Sequence, residues 1–185
     1  LQKWSVFMDP PDQTRMRKLL NHGFTSTALI NFRPQVEVIV ERMIDQLIEK
    51  GASGEEVDFI SSFAYHLPAT VIAVMLGVPE SDVEQLRAWS ENLAAFVGSA
   101  TDAPDKAGLA EASAVALTDY FAGIIESRRA NPPAPEDVTV IDHMMAAEED
   151  GDTLSLAELI TNAVLLLLAG HETTTNLLGN RLITL

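Results

Sequence analysis

The amino-acid sequence predicts a mainly α fold with at most one or two short strands. Apolar residues recur at helical spacing through most of the chain, and helix-starting and helix-ending residues separate these segments. A single stretch, residues 57–60, has the composition of a short strand. Apolar residues make up 47% and charged residues 21% of the 185 positions, as in globular rather than disordered proteins. We therefore expect a packed helical core.

Proline, glycine and acidic residues set the approximate bounds of the helices. The prolines and acids of residues 9–12 indicate a helix start, and Pro34 marks the next one. Pro68 lies inside an apolar segment that it should kink or split. Ser155 and Glu158 have the spacing of a capping box, which starts the last helix. The predicted helical segments cover residues 12–21, 34–51, 61–76, 80–97, 107–130, 136–147 and 155–185.

The charge distribution excludes some classes of partner. The net charge is −15, with +1 in residues 1–50 and −16 in residues 51–185, which argues against nucleic acid as a ligand.

Cysteine is absent, so disulfides, zinc-thiolate sites and cysteine nucleophiles are excluded. No stretch approaches the roughly 20 apolar residues of a membrane span, and residues 1–8 do not resemble a secretory signal. We expect a cytoplasmic protein without a membrane partner, and the uncapped, apolar last residues indicate a fragment.

The last helix contains an unusual segment at residues 169–175. Gly170 costs a helix interior roughly 1 kcal/mol relative to alanine, and the threonines that follow are poor helix formers. Hydroxyl bonds from Thr173 to Ala169 and from Thr174 to Gly170 should loosen or bulge the helix. Glu172 places a carboxylate on an apolar stripe. Two interpretations remain: a functional site, or a packing notch at Gly170 beside a solvated Glu172.

Two metal-binding patterns can be tested on the sequence, and both fail. His171 and Glu172 begin a zinc-helix motif, but position 175 carries threonine where the second histidine belongs. A calcium loop with Gly151 at its sixth position would need an acid at its twelfth, which is Ala157. The other histidines show no ligand spacing and are interpreted as surface or satisfied polar residues: His22, His66 and His143.

Three motifs carry a family resemblance. They are Ala-Gly-His-Glu-Thr-Thr at 169–174, the stretch Phe-Met-Asp-Pro-Pro-Asp-Gln-Thr-Arg-Met-Arg-Lys-Leu at 7–19, and residues 66–72 followed by Leu-Gly-Val-Pro at 76–79. In content, order and spacing they resemble the oxygen-binding helix, the haem-contacting helix and a further stretch of soluble bacterial cytochromes P-450. The resemblance covers essentially the whole chain. It implies that residues 1–185 belong to one catalytic domain of this fold, without its N-terminal sheet region and its C-terminal cysteine loop.

The resemblance also implies residue roles around haem b (iron protoporphyrin IX), with dioxygen as co-substrate. Glu172 and Thr173 match the acid–alcohol pair that assists dioxygen activation: Thr173 by hydrogen bonding, Glu172 by relaying protons. Ala169 and Gly170 would let oxygen and cofactor approach the helix, on a face shared by Leu166, Ala169, Thr173 and Leu177. Arg17 matches the arginine that binds a haem propionate. Gln13 stands where the family usually has histidine, and it can still donate to a propionate.

The resemblance implies a monooxygenase that hydroxylates or epoxidises a small apolar organic substrate. A ferredoxin or similar donor would supply electrons, and Arg15 and Lys18 could meet its acidic surface. Because the chain lacks the cysteine that ligates the iron, we expect the 185-residue polypeptide alone to be inactive. The alternatives are a truncated, non-catalytic haem- or ligand-binding protein and a helical interaction module. Haem titration would separate these two.

Overall fold

The computed structural model describes residues 4–52, 54, 56–98 and 105–184. Within these residues, the mainly α prediction is confirmed, and β structure is limited to one antiparallel hairpin in which Glu148 pairs with Thr153. The helices are α1 Asp12–Asn21, α2 Ser26–Gly51, α3 His66–Met75, α4 Val83–Gly98, α5 Lys106–Ala130, α6 Val140–Ala146 and α7 Leu156–Ile183, and the strands are β1 Glu148–Glu149 and β2 Asp152–Thr153.

Two local predictions are wrong. Pro34 does not start a helix but lies inside α2, which begins eight residues earlier where the Thr25 hydroxyl caps the Ala28 amide. The buried side chains of α2 lie on both sides of the proline, and this packing outweighs its local cost. Residues 57–60 form no strand. Instead, the Asp58 carboxylate accepts the amide of Ile60 at 2.9 Å, just before a short π-helix at Ile60–Ala64.

Other helix boundaries follow the sequence more closely. The apolar segment from residue 61 is split before α3, and Pro68 is the third residue of that helix, where a missing amide proton is tolerated. Helix α6 begins at Val140, later than predicted, because Thr139 and Asp142 form a capping box after a 3₁₀ turn at residues 135–137. The predicted capping box of α7, formed by Ser155 and Glu158, is confirmed.

Helix α7 lies against the other helices and forms much of the core. Its buried side chains pack with those of α3 and α5 in one large apolar cluster. The α7 members of this cluster are Leu159, Ile160, Ala163, Val164 and Leu167. The burial of this stripe fixes the rotation of the helix and therefore determines which side chains of residues 166–177 face outward.

The structure contradicts the predicted loosening of α7. The helix is continuous and regular from Leu156 to Ile183. The Thr173 hydroxyl donates to the Ala169 carbonyl at 2.7 Å, as predicted, but the next such bond runs from Thr175 to His171 rather than from Thr174. Each of these carbonyl oxygens accepts the threonine hydroxyl in addition to a backbone amide of the helix. The backbone hydrogen bonds are therefore kept, and the helix keeps its geometry.

By length and composition alone, α5 could cross a membrane. The same properties are found in core helices of globular proteins. In this structure one side of α5, including Leu117, Phe121 and Ile125, is fully buried against neighbouring helices. The composition of α5 is therefore weak support for a membrane span.

Candidate functional site

Residues 166–177 of α7 present two different faces. Ala169, Thr173 and Leu177 are exposed and lie along one face, to which the half-buried Leu166 also belongs. His171 lies on the opposite, buried side with 6% of its surface exposed. The structure thus places the predicted oxygen-side residues on one open face, and it leaves Glu172 exposed beside them.

Gly170 contacts the neighbouring helix α3. A Cβ atom on this residue would lie 2.8 Å from Cγ1 of Ile72, closer than van der Waals contact allows. The missing side chain therefore lets α3 and α7 approach each other, which agrees with the packing-notch interpretation for this one position. The contact accounts for Gly170 without a ligand, and its predicted role beside the cofactor stays a prediction.

Gln13 and Arg17 meet α7 across an open cavity. Its volume is about 510 Å³, and its walls include Gln13, Arg17 and Leu166 together with the apolar side chains of Met8 and Phe24. The sequence positions predicted for the propionate end of the cofactor are therefore brought together with the helix turn just before Ala169. Ala169 and Thr173 themselves do not line this cavity.

The chemistry of this cavity suits the carboxylate edge of a flat apolar group. Arg17 is exposed and forms no ion pair within the described residues, so its guanidinium can donate two parallel hydrogen bonds to a carboxylate. The Gln13 amide adds a neutral donor. Apolar side chains at the same cavity supply a surface for a macrocycle. The residues present fit the propionate end of a haem, whereas the chain itself offers no thiolate.

Arg15 faces different neighbours from Arg17. Its guanidinium pairs with Asp152 of the hairpin and, at 2.9 Å, with Glu158 of α7, and it donates to the Thr153 carbonyl at 3.0 Å. Hydrogen bonds to these carboxylates raise the pKa of Arg15 further above its usual value, and the bond from Arg15 is the main cause of the lowered pKa of Asp152. The expectation that Arg15 meets an electron donor is therefore not supported. Lys18 is exposed.

A second cavity, of about 280 Å³, lies between α4 and α7 and was not foreseen from the sequence. Tyr65, Glu91, His171 and Glu172 are among its lining residues. The Tyr65 hydroxyl donates to Glu91, and the Arg87 guanidinium lies 4.3 Å from the centre of the Tyr65 ring. One signal could have pointed here: position 171 is four residues after Leu167, on the buried stripe of α7.

His171 is polar, buried and incompletely paired. Burial is the main cause of its lowered pKa, and the nearby carboxylates of Glu91 and Glu172 partly oppose that shift. The ring lies edge to face against the Tyr65 ring, with 5.6 Å between the ring centres, and Nε2 has no hydrogen-bond partner within the described residues. A neutral imidazole with an unpaired nitrogen at a cavity is the most notable polar feature that the sequence did not predict.

Comparison with known proteins identifies the family. The family model described as Cytochrome P450 matches residues 1–185. The chain is 38% identical over 177 residues to "Putative cytochrome P450 YjiB" of Bacillus subtilis (strain 168), covering 95% of this chain and 43% of the relative. It is 40% identical over 177 residues to "Cytochrome P450 107B1" of Saccharopolyspora erythraea, covering 96% of this chain and 40% of the relative.

Structural comparison identifies the same family. The crystal structure of P450BioI in complex with an acyl carrier protein ligated to hexadec-9Z-enoic acid matches with a TM-score of 0.85 and 30% identity. The match covers 99% of this chain and 44% of that chain. The chain thus spans only about 40% of the length of the curated relatives that it matches. Sequence motifs, helical architecture and these similarities agree: the chain belongs to the cytochrome P450 family.

Proposed function

We propose that this chain is part of the single catalytic domain of a haem-dependent monooxygenase, which activates dioxygen and hydroxylates or epoxidises a small organic substrate. The observation that carries this proposal is the cavity where Gln13 and Arg17 face α7, in a chain of the P450 family. The activity belongs to the whole protein, because this chain spans about 40% of its relatives' length. We do not expect the 185 residues to turn over substrate alone.

The residues of α1 and α7 would hold the cofactor, haem b. When bound, haem supplies the redox chemistry that activates dioxygen. Arg17 donates a charge-assisted pair of hydrogen bonds to a propionate, and Gln13 donates a neutral one. Leu166 supplies apolar contact from α7, and Ala169 leaves space one turn later. The contribution of Gly170 is to keep α7 seated on α3.

Glu172 and Thr173 would handle protons at the open face of α7. The Thr173 hydroxyl donates its hydrogen bond to the Ala169 carbonyl, so the hydroxyl oxygen can accept a hydrogen bond from a water molecule beside it. Glu172 is the adjacent exposed carboxylate. Together they hold an ordered water and exchange protons with it, as general acid–base catalysis requires.

Replacement of Thr173 tests this function. In the complete enzyme, Thr173→Ala should lower the product formed per dioxygen consumed by about tenfold or more, because a proton-positioning group is lost. Thr174→Ala is the matched control, since Thr174 is the neighbouring exposed threonine outside the shared face. Coupling is measured as product against dioxygen uptake with a saturating substrate. Equal coupling in both variants would remove Thr173 from the mechanism.

We also infer an apolar substrate, a ferredoxin-type electron donor and a cytoplasmic location. A third cavity, of about 380 Å³, lies among α4, α5 and α7, and large apolar side chains including Trp4, Leu93, Phe96 and Val164 line it. Such a lining supports an apolar small molecule as substrate. The donor's docking surface would include Lys18 rather than Arg15, because Arg15 is held by Asp152 and Glu158.

A further inference from the structure

Asn162 is a fully buried amide side chain on α7 that connects three parts of the chain. Its Oδ1 atom accepts a hydrogen bond from the Ser5 amide at 3.3 Å. Its Nδ2 group donates to the Glu158 carbonyl at 2.9 Å and to Sδ of Met16 at 3.5 Å. Glu158 belongs to α7 itself, whereas Ser5 belongs to a short turn before α1 and Met16 to α1. Asn162 therefore joins the beginning of the chain to its last helix.

Residues 4–8 form part of the wall of two cavities. Trp4, which is 5% exposed, lines the apolar cavity of about 380 Å³ among α4, α5 and α7. Ser5, Val6 and Met8 line the cavity of about 510 Å³ that contains the proposed propionate site. Consecutive residues thus belong to the walls of different cavities. The position of this short segment therefore affects the shape of both.

A single hydrogen bond holds this segment to α7. Among the residues that the structure describes, no other hydrogen bond joins residues 4–8 to another element. Trp4 packs against the apolar core, but apolar packing has no preferred direction, and the Val6 and Phe7 side chains are mostly exposed. Movement of the Ser5 amide would leave the buried Oδ1 atom of Asn162 without a partner, which is unfavourable. The bond therefore fixes the register of the segment along α7.

We propose that Asn162 is a positioning residue that, through the Ser5 amide, holds Trp4 in place as a wall of the substrate cavity and so determines how tightly an apolar ligand is bound. This inference rests on the function proposed above, because that function assigns the apolar cavity to the substrate. Asn162 itself lines neither cavity and is fully buried, so it acts through the segment that it holds.

The variants for the test separate the hydrogen bond from the side chains that make it. Ser5→Pro removes the amide donor and leaves Asn162 intact. The backbone can accept this proline, because Ser5 is the first residue of a 3₁₀ turn and Trp4 before it has an extended ψ of 126°. Ser5→Ala is the matched control, since it keeps the amide. Asn162→Leu removes the acceptor at similar volume but also loses the contacts with Glu158 and Met16.

Hydrogen exchange at the Phe7 amide measures the release of the segment in the complete holoenzyme. In the described structure this amide donates to the Trp4 carbonyl at 2.9 Å within the turn. Ser5→Pro and Asn162→Leu should each speed its exchange by about three- to tenfold, the range that one neutral hydrogen bond supplies. Ser5→Ala should match the wild type. In the double variant, Ser5→Pro should add little to Asn162→Leu, because both remove the same bond.

Ligand binding measures the effect on the cavity. Naphthalene is an uncharged apolar probe whose dissociation constant is measured by equilibrium dialysis. Imidazole binds haem iron through a ring nitrogen and is measured by the Soret shift. Ser5→Pro and Asn162→Leu should weaken naphthalene binding by about three- to tenfold, and Ser5→Ala should not. Imidazole affinity should stay within about twofold of wild type in all variants, because it needs no apolar wall.

The outcomes for this inference and for the proposed function are separate. Wild-type naphthalene affinity in Ser5→Pro would overturn the inference, and so would wild-type exchange at Phe7. Equal weakening of naphthalene and imidazole would also overturn it, because Asn162 would then act on the whole fold rather than on one wall. A wild-type complete protein that shows no Soret shift with imidazole would instead overturn the proposed function, and exchange at Phe7 would still decide whether Asn162 holds the segment.

Discussion

Arg15 and Arg17 lie two residues apart on α1, and their side chains lie on opposite sides of the helix. Two residues correspond to about 200° of helical rotation, so the two side chains diverge. Arg15 turns towards the hairpin and the start of α7, where it meets carboxylates. Arg17 lines the open cavity and meets no carboxylate within the described residues. Arg17 alone is thus available to a ligand.

Loss of Arg17 should weaken haem retention. Arg17→Ala removes a charge-assisted bond pair, which costs about 1.5–3 kcal/mol and corresponds to roughly a ten- to hundredfold weaker affinity. The measurement is the transfer rate and equilibrium of haem from the complete protein to an excess of an acceptor haem protein. Lys18→Ala is the control, since Lys18 is a neighbouring exposed cation that does not line the cavity. Equal haem retention in both variants would count against the assignment.

The sequence predicted which residues share a helix face better than it predicted the surroundings of each residue. Helical spacing predicted that Ala169 and Thr173 share a face, and the regular helix confirms this. The partners of Gly170 and His171 could not be predicted in the same way. They come from Ile72 and Tyr65, which lie about a hundred residues earlier, so tertiary packing decides their role.

At the scale of elements, helix packing overrides several predictions made from local sequence. The loosening or bulge expected at residues 169–175 did not form, because α7 is buried along one side and its threonine hydroxyls bond within the helix. Pro34 was tolerated in α2 for a similar reason. Element type followed from periodicity and capping residues, as at Ser155 and Glu158. Local costs of roughly 1–3 kcal/mol are smaller than the stabilisation gained from a packed helix face.

The close approach of α3 and α7 predicts opposite effects for the same substitution at two helical glycines. Gly170→Ala would place Cβ at 2.8 Å from Cγ1 of Ile72, and overpacking of about 1–3 kcal/mol should exceed the helix-propensity gain of about 1 kcal/mol. Gly123→Ala has no atom within 4 Å of the new Cβ, so it should raise the free energy of unfolding by about 0.5–1 kcal/mol. Denaturant unfolding of the whole protein measures both.

A double variant tests the cause of the Gly170 effect. Ile72→Ala removes Cγ1 and Cδ1, two of the three atoms that a new Cβ would meet. In this background, Gly170→Ala should cost less than in the wild type, so the two changes should not be additive. A stabilising Gly170→Ala, similar to Gly123→Ala, would show that α3 does not pack here as described.

At the scale of the whole molecule, ion pairs connect the beginning of the chain to its last helix. The first 50 residues carry a net charge of +1 and the remainder a net charge of −16. Arg15, in the first part, forms ion pairs with Asp152 and Glu158 in the second. His22 makes a parallel contact to Glu149 of the hairpin at 2.7 Å. The sequence showed the charge imbalance but not these contacts, because contacts between residues more than 120 positions apart depend on the completed fold. The network holds α1, and with it Gln13 and Arg17, against α7.

This network should make stability depend on acid pH in a way that requires Arg15. The hydrogen bond from Arg15 lowers the pKa of Asp152 below its ordinary 3.8. Burial raises the pKa of Glu158, but bonds from Ser155 and Arg15 outweigh it, so the net pKa lies below the ordinary 4.5. Because both pKa values are lower in the folded state, the two carboxylates stabilise the fold at pH above their ordinary pKa values. That stabilisation is lost as the pH falls through their folded-state pKa values.

Arg15→Ala should therefore destabilise the protein at neutral pH, and the difference in stability from wild type should shrink towards zero in acid. Thermal unfolding of the whole protein across this pH range measures it, with Arg33→Ala as control for an exposed pair within α2. A difference that stays constant with pH would show that Arg15 acts through packing rather than through these carboxylates.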